Sequence, residues 1–267
     1  MNPHRITTLI ALLLIAAQAT AIAATPAADS YESRKTRAER YFKYKEWSSA
    51  LAMYLLMLDE RPDEVEPYYK AIVAGAMNND SITQIDMLER TQQRGISLDS
   101  LFNGVRSVSF SIGEAGAYNN FLLLVKKHQP WLNRRINIYL LEYYDFRNDA
   151  TNVIKTARQL LSQTPRNIGY MKTMARAYIN IGDLAKAMEC YKRILAIDSG
   201  DYDSLLALGN YYAMQLLQPS AIKPQLSRKD LIALAQTYLH EAYNLYPTPY
   251  VAQLLAQVNH ELETIQQ

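Results

Sequence analysis

The chain has 267 residues, 49% of them hydrophobic and 20% charged, so it has the apolar mass for a sizeable core and not the composition of a disordered protein. Its formal charge of +2 is close to neutral, and Lys and Arg are dispersed rather than gathered in a stripe, which argues against a nucleic-acid partner. A single cysteine excludes an intramolecular disulfide and a cysteine-based zinc cluster.

The first segment has the layout of an export signal. Met1–Arg5 is short and basic, Ile6–Ala19 is mostly apolar, and Ala21-Ile22-Ala23 places small residues where a signal peptidase reads. Residues 1–23 are expected to be a cleavable signal peptide, with the mature chain periplasmic or secreted. The apolar run is shorter than the roughly 20 residues that a spanning helix needs, so no membrane span is expected after cleavage. Cys190 lies far from the cut, so no lipid anchor is expected there. Residues 24–30 read as a short tether.

From Tyr31 onward, apolar residues recur at helical spacing between short turns containing Pro, Gly, Asn or Asp. Tyr41, Trp47, Ala50, Tyr54 and Pro62 mark a first helical pair. Tyr68, Ala71, Ile72 and Gly75, then Ile85, Leu88 and Thr91, mark a second, with the weakest pattern of the chain between Pro67 and Ile96. Gly113-Glu114-Ala115 with Phe121, Val125 and Pro130 reads as a turn, a helix and a terminating proline. Leu140, Tyr144, Val153, Ala157 and Pro165 keep the spacing of a fourth pair.

The clearest unit runs from Ile168 to Ser199. Small Ala175 and Ala187 let two helices approach, Tyr178 and Tyr191 fill the space around them, Gly182 supplies a positive φ and Asp183 a cap. Tyr202, Leu205, Leu208, Gly209 and Tyr212 open a sixth pair, with Ala235, Leu239, Ala242 and Pro247 as its delayed second half. The delay is the stretch 215–229, which contains Pro219 and Pro224 and is read as a long loop. A terminal helix from Tyr250 to about Glu263 alternates Val251, Leu254, Leu255, Val258 and Leu262 with polar residues, the pattern of a cap.

The Ile168–Ser199 unit resembles the tetratricopeptide repeat: small residue, Tyr, Gly-Asp turn, Ala, aromatic, across a period of 34. Tyr212 lies 34 residues after Tyr178, and Pro62, Pro130 and Pro165 are separated by 68 and 35 residues. The resemblance implies an all-α fold, a right-handed superhelical solenoid of about six helical hairpins over residues 31–267, with a C-terminal capping helix. It also implies that the first helix of each pair lines a concave face that holds extended peptides or helices. The residues placed there are Lys35 and Glu39, then Arg135, Ile138 and Glu142, then Lys172 and Arg176, then Asp203, Leu206 and Asn210.

Of these, Arg135, Glu142, Lys172, Arg176 and Asn210 are the candidates for partner binding. Lys172 and Arg176 are four residues apart and share a helix face, where they offer two donors to a carboxylate or to backbone carbonyls. Some members of the family clamp a C-terminal carboxylate with polar residues, but here Ile138 and Leu206 hold such positions, so that activity is not expected.

No catalytic constellation, cofactor or metal is expected. His128, His240 and His260 are isolated, without His-x-x-x-His spacing. No phosphate-binding Gly-Lys-Ser/Thr loop and no Gly-x-Ser-x-Gly elbow occurs, and Cys190 reads as a seam residue. The expectation is therefore an extracytoplasmic scaffold or adaptor for a protein or peptide, not an enzyme. The alternative is a sensor, or a small-molecule or glycan-binding module with a Tyr-lined pocket, because the chain holds 20 Tyr against 5 Phe and 2 Trp.

Overall fold

The computed structural model describes residues 30–219 and 226–266. The expected signal peptide and the tether up to Asp29 lie outside the described residues, as do residues 220–225 of the insertion. The described residues form thirteen α-helices and one 3-10 turn, without a strand. They divide into two compact units, with the boundary between Pro130 and Trp131.

The first unit consists of α1 (Tyr31–Lys43), α2 (Trp47–Glu60), α3 (Val65–Met77), α4 (Ser81–Gln93), α5 (Leu98–Ser111) and α6 (Ala115–His128). Its centre is α3, which packs on α2, α4, α5 and α6. Tyr68, Ala71, Ile72, Val73 and Ala74 of α3 are each at most 1% exposed. A helix covered on several sides loses the one-sided apolar stripe that marks a surface helix. The weakest sequence pattern therefore belongs to the core of this unit. Pro67 fits because it lies in the first turn, where its missing N–H breaks no intrahelical bond.

The second unit consists of α7 (Asn133–Phe146), α8 (Ala150–Gln163), α9 (Ile168–Asn180), α10 (Leu184–Leu195), α11 (Tyr202–Leu217), α12 (Arg228–Leu245) and α13 (Pro249–Gln266). Each helix packs on the next. Buried Ala157, Ala175, Ala187, Ala213, Ala235 and Ala242 keep neighbouring backbones close. At Gly209 the approach is tighter: a Cβ there would stand 2.7 Å from Leu239 Cδ2 and 3.3 Å from the Leu239 backbone nitrogen.

Five turns reveal the repeat. Lys45, Asn79, Gly113, Asn148 and Gly182 have φ of 61°, 57°, 78°, 53° and 79°, at successive spacings of 34, 34, 35 and 34 residues. In each turn the following N–H reaches back along the chain to close the helix: Glu46 to Tyr41, Asp80 to Gly75, Glu114 to Ser109, Asp149 to Tyr144 and Asp183 to Tyr178, at 2.8–2.9 Å. The next helix starts at once. Asp80, Asp149 and Asp183 cap it by accepting from the backbone N–H of Thr83, Asn152 and Lys186 at 3.0, 3.1 and 3.2 Å.

The sixth pair departs from the loop boundaries read from sequence. Helix α11 continues to Leu217 and α12 begins at Arg228, so the connection shrinks to residues 218–227. The cause at the first end is Gln215, which is 2% exposed and packed as part of the helix. Gln218 then leaves the helical region immediately before Pro219, as a residue preceding proline does. At the far end α13 buries Val251, Leu254, Leu255 and Val258 and exposes Gln253, Gln257 and Asn259.

Nine of the 20 tyrosines are buried in the helix seams. Tyr54, Tyr68 and Tyr118 are each 1% exposed, and Tyr31, Tyr178, Tyr191 and Tyr212 are also buried. Their rings supply apolar area, and several hydroxyls find partners, such as Tyr68 donating to the Pro62 carbonyl at 2.9 Å.

Candidate functional site on the first-helix face

In the second unit α7, α9, α11 and α13 present a shared face joined by polar links. The Arg176 guanidinium on α9 meets Asp145 of α7 at 2.9 Å. Lys172, one turn earlier, bridges Asp201 at 2.7 Å and Asp203 at 2.8 Å, tying α9 to the start of α11. Tyr250 of α13 donates its hydroxyl to Asn210 Oδ1 of α11 at 3.0 Å. Lys172 and Arg176 thus share a helix face, but they diverge, one toward α11 and the other toward α7. Three of the five residues singled out in the sequence hold neighbouring first helices together.

The electrostatics follow from these contacts. Hydrogen bonds to Asp201 and then Asp203 raise the Lys172 ammonium above its ordinary pKa. Burial pushes the Asp201 carboxyl upward, but its bonds to Lys172 and Ser204 outweigh that and leave it below the usual carboxylate range. A carboxylate ligand must compete with two resident carboxylates for Lys172. Arg176 is more open, with its side chain 58% exposed, and a guanidinium carries five donors. Arg135 and Glu142 are exposed on α7.

Between α7 and α9 this face sinks into a notch of ≈ 230 Å³. Ile138, Leu141 and Tyr170 give it an apolar floor, Glu142 and Asp145 stand at its edge, and Thr173 and Gly169 complete the α9 side. Ile138 and Glu142 are legible in the sequence through the 34-residue register; Gly169, Tyr170 and Thr173 are not. The sequence does carry a signal for Gly169, which falls 34 residues after Arg135 and 34 before Asp203, so the repeat has no side chain where its neighbours have charged ones.

The first unit uses the same device. Lys70 of α3 pairs with Glu39 of α1 and, at 2.8 Å, with Glu66, while Lys35 lies 3.8 Å from Glu66. Behind them burial, and then the Glu39 and Glu66 charges, push the Tyr54 hydroxyl far above its ordinary pKa.

A second cleft of ≈ 260 Å³ opens between α10 and α11, with Lys192, Tyr211, Tyr212 and Leu226 in its wall. Tyr212 stacks on Tyr238 with centroids 5.9 Å apart, and Lys192 Nζ stands 5.7 Å from the Tyr212 ring. Elsewhere His128, His240 and His260 lie on α6, α12 and α13, and His240 Nδ1 is 2.8 Å from the Gln236 carbonyl. Among the described residues no group of three His, Cys, Asp or Glu is placed to hold a metal ion, and no helix is long and apolar enough to cross a membrane.

No family model matches the chain, and no curated protein matches its sequence. Solved structures do match it. A TPR repeats protein from Bacteroides fragilis is 16% identical, over 86% of this chain and 98% of that one, with a TM-score of 0.37. A tetratricopeptide repeat protein from Parabacteroides merdae is 11% identical, over 90% and 89%, at 0.36. The C-terminal part of a TPR repeat-containing protein from Cytophaga hutchinsonii is 12% identical, over 82% and 98%, at 0.39. The chain's own geometry carries the assignment of fold: the left-handed turn residue returning every 34 or 35 residues, the antiparallel pair on either side of it, and the linked first helices make this an all-α, tetratricopeptide-like helical repeat.

Proposed function

We propose that this chain is an extracytoplasmic scaffold or adaptor that holds a protein or peptide on the first-helix face of its second unit, as a binding protein rather than an enzyme. The observation that carries this reading is the notch between α7 and α9. An apolar floor with acidic groups at its edge, set on a face stiffened by ion pairs, suits an apolar side chain of an extended segment. The salt links fix the spacing of the first helices, so the face is organised before a partner arrives.

A photo-activatable residue at Thr173, used in intact cells, should cross-link a discrete protein partner. The exposed Gly169→Gln substitution, which fills the notch with a side chain, should abolish that adduct while the melting curve stays unchanged. An undiminished adduct in the Gly169 variant would remove the notch from the site.

The export half of the proposal rests on the basic, apolar and small-residue order of residues 1–23. The mass of the protein recovered from its host should correspond to a chain starting at Ala24, in the extracytoplasmic fraction. A cytoplasmic protein with an intact N-terminus would refute it.

A second reading, a module for a glycan or other small molecule, draws on the Tyr211–Tyr212 cleft and the insertion residue Leu226 at its wall. It requires a ligand whose binding is lost on Tyr211→Ala and retained in the Gly169→Gln variant.

A further inference from the structure

A cleft of ≈ 410 Å³ lies among α8, α9 and α10 of the second unit and is used by neither reading above. That size falls within the range of small-ligand sites. Its buried lining is apolar, with Leu161 6%, Met174 4% and Cys190 3% exposed. Its outer wall is cationic: Arg158 from α8, and Lys186 and Arg193 from α10.

The charges do not cancel locally. Lys186 is paired with Asp183, the cap of its own helix. No carboxylate among the described residues comes within ion-pair distance of Arg158 or Arg193. The single acid in the lining is Glu189. Two guanidinium groups less one carboxylate leave a surplus of one positive charge. The Cys190 thiol sits in that field: burial pushes its pKa up, and Arg193 and Arg158 pull the other way.

Tyr178 adds a directed donor. It is 4% exposed, and its oxygen accepts from the Arg158 guanidinium. A hydroxyl that accepts in this way keeps its own proton to donate, and that proton has no acceptor among the described residues. Arg158 and Lys186 also flank the Tyr178 ring, 5.9 and 5.7 Å from its centroid. The cleft therefore combines an apolar floor with an unanswered phenolic proton and two guanidinium groups.

We propose that this cleft binds a small amphipathic monoanion, a carboxylate on an apolar body of medium-chain fatty-acid size. The carboxylate sits between Arg158 and Arg193 and accepts from the Tyr178 hydroxyl. The apolar body covers Leu161, Met174 and Cys190. Monoanion follows from the single surplus charge, and the apolar body from the buried lining.

Calorimetric titration of the full chain with octanoate, acetate and octan-1-ol tests the assignment. Octanoate should bind, with acetate (the charge alone) and octanol (the body alone) each at least tenfold weaker. Arg158→Gln with Arg193→Gln should weaken octanoate at least tenfold, and Tyr178→Phe severalfold. Because both arginines are exposed, the double variant should keep the wild-type melting midpoint. Octanoate should also slow alkylation of Cys190, the only thiol in the chain, and that protection should vanish in the double variant. Octanol binding as tightly as octanoate, octanoate binding unaffected by the two substitutions, or no octanoate binding at millimolar concentration would each overturn the proposal.

Discussion

Lys45, Asn79, Gly113, Asn148 and Gly182 hold one backbone conformation with three kinds of side chain. Only glycine does so without steric cost; an L side chain in the left-handed region costs roughly 1–2 kcal/mol, less for Asn. Lys45→Gly should therefore stabilise the chain, and Gly182→Ala should destabilise it, each by about 1 kcal/mol, read as opposite shifts of the urea midpoint. The same chemistry explains what the sequence conceals. Gly182 announces its turn, but Asn79 and Asn148 also read as caps, and Lys45 carries no turn signal at all. Asp201 gives a second test. Its folded pKa lies below its ordinary 3.8, so its ion pair and cap stabilise above that value and are lost as pH falls through the folded value. Asp201→Asn keeps an acceptor for the Ser204 N–H but gives up the charge facing Lys172. The variant should be less stable than wild type at pH 7, with the gap closing below about pH 4, measured by urea unfolding at both pH values.

Among the elements, legibility tracks exposure. Helices α9 and α10 bury one side, so their spacing, turn and cap are readable in order. Helix α3 is covered on several sides, and its near-continuous buried run, Ala71-Ile72-Val73-Ala74, carries little periodicity. The notch is half legible for a related reason. Ile138 and Glu142 follow from register, but a glycine on an inner face shows itself only as a missing side chain. Between α11 and α12 the decisive residue is also a glycine. Gly209→Ala places a methyl against Leu239 and its backbone nitrogen, which should cost about 1–3 kcal/mol by overpacking. Leu239→Ala alone should also destabilise, by opening a cavity. The double variant should be more stable than the sum of the two losses, because the deleted Leu239 atoms are those that the new methyl strikes. Additive losses in that thermal-unfolding cycle would mean that the helices separate instead of repacking locally.

For the whole molecule, the arrangement of contacts sets how far such a change spreads. In the second unit each helix packs mainly on the next, and the long-range polar links join consecutive helices or neighbouring first helices. Stability in such an array is close to a sum of hairpin terms and nearest-neighbour terms, without one core that all elements share. The Gly209→Ala strain enters at the α11–α12 contact, and α13 rests on both helices. Amide exchange in this variant should accelerate in α11, α12 and α13 and, less strongly, in α10. Protection in α1 to α4, which belong to the other compact unit, should stay at the wild-type level. Uniform acceleration along the chain would instead show global cooperativity, in which a ligand at one unit stabilises every helix. A local response would let the α7–α9 notch and the α8–α10 cleft tighten their own hairpins while the first unit stays at its own stability, as a scaffold with separable surfaces requires.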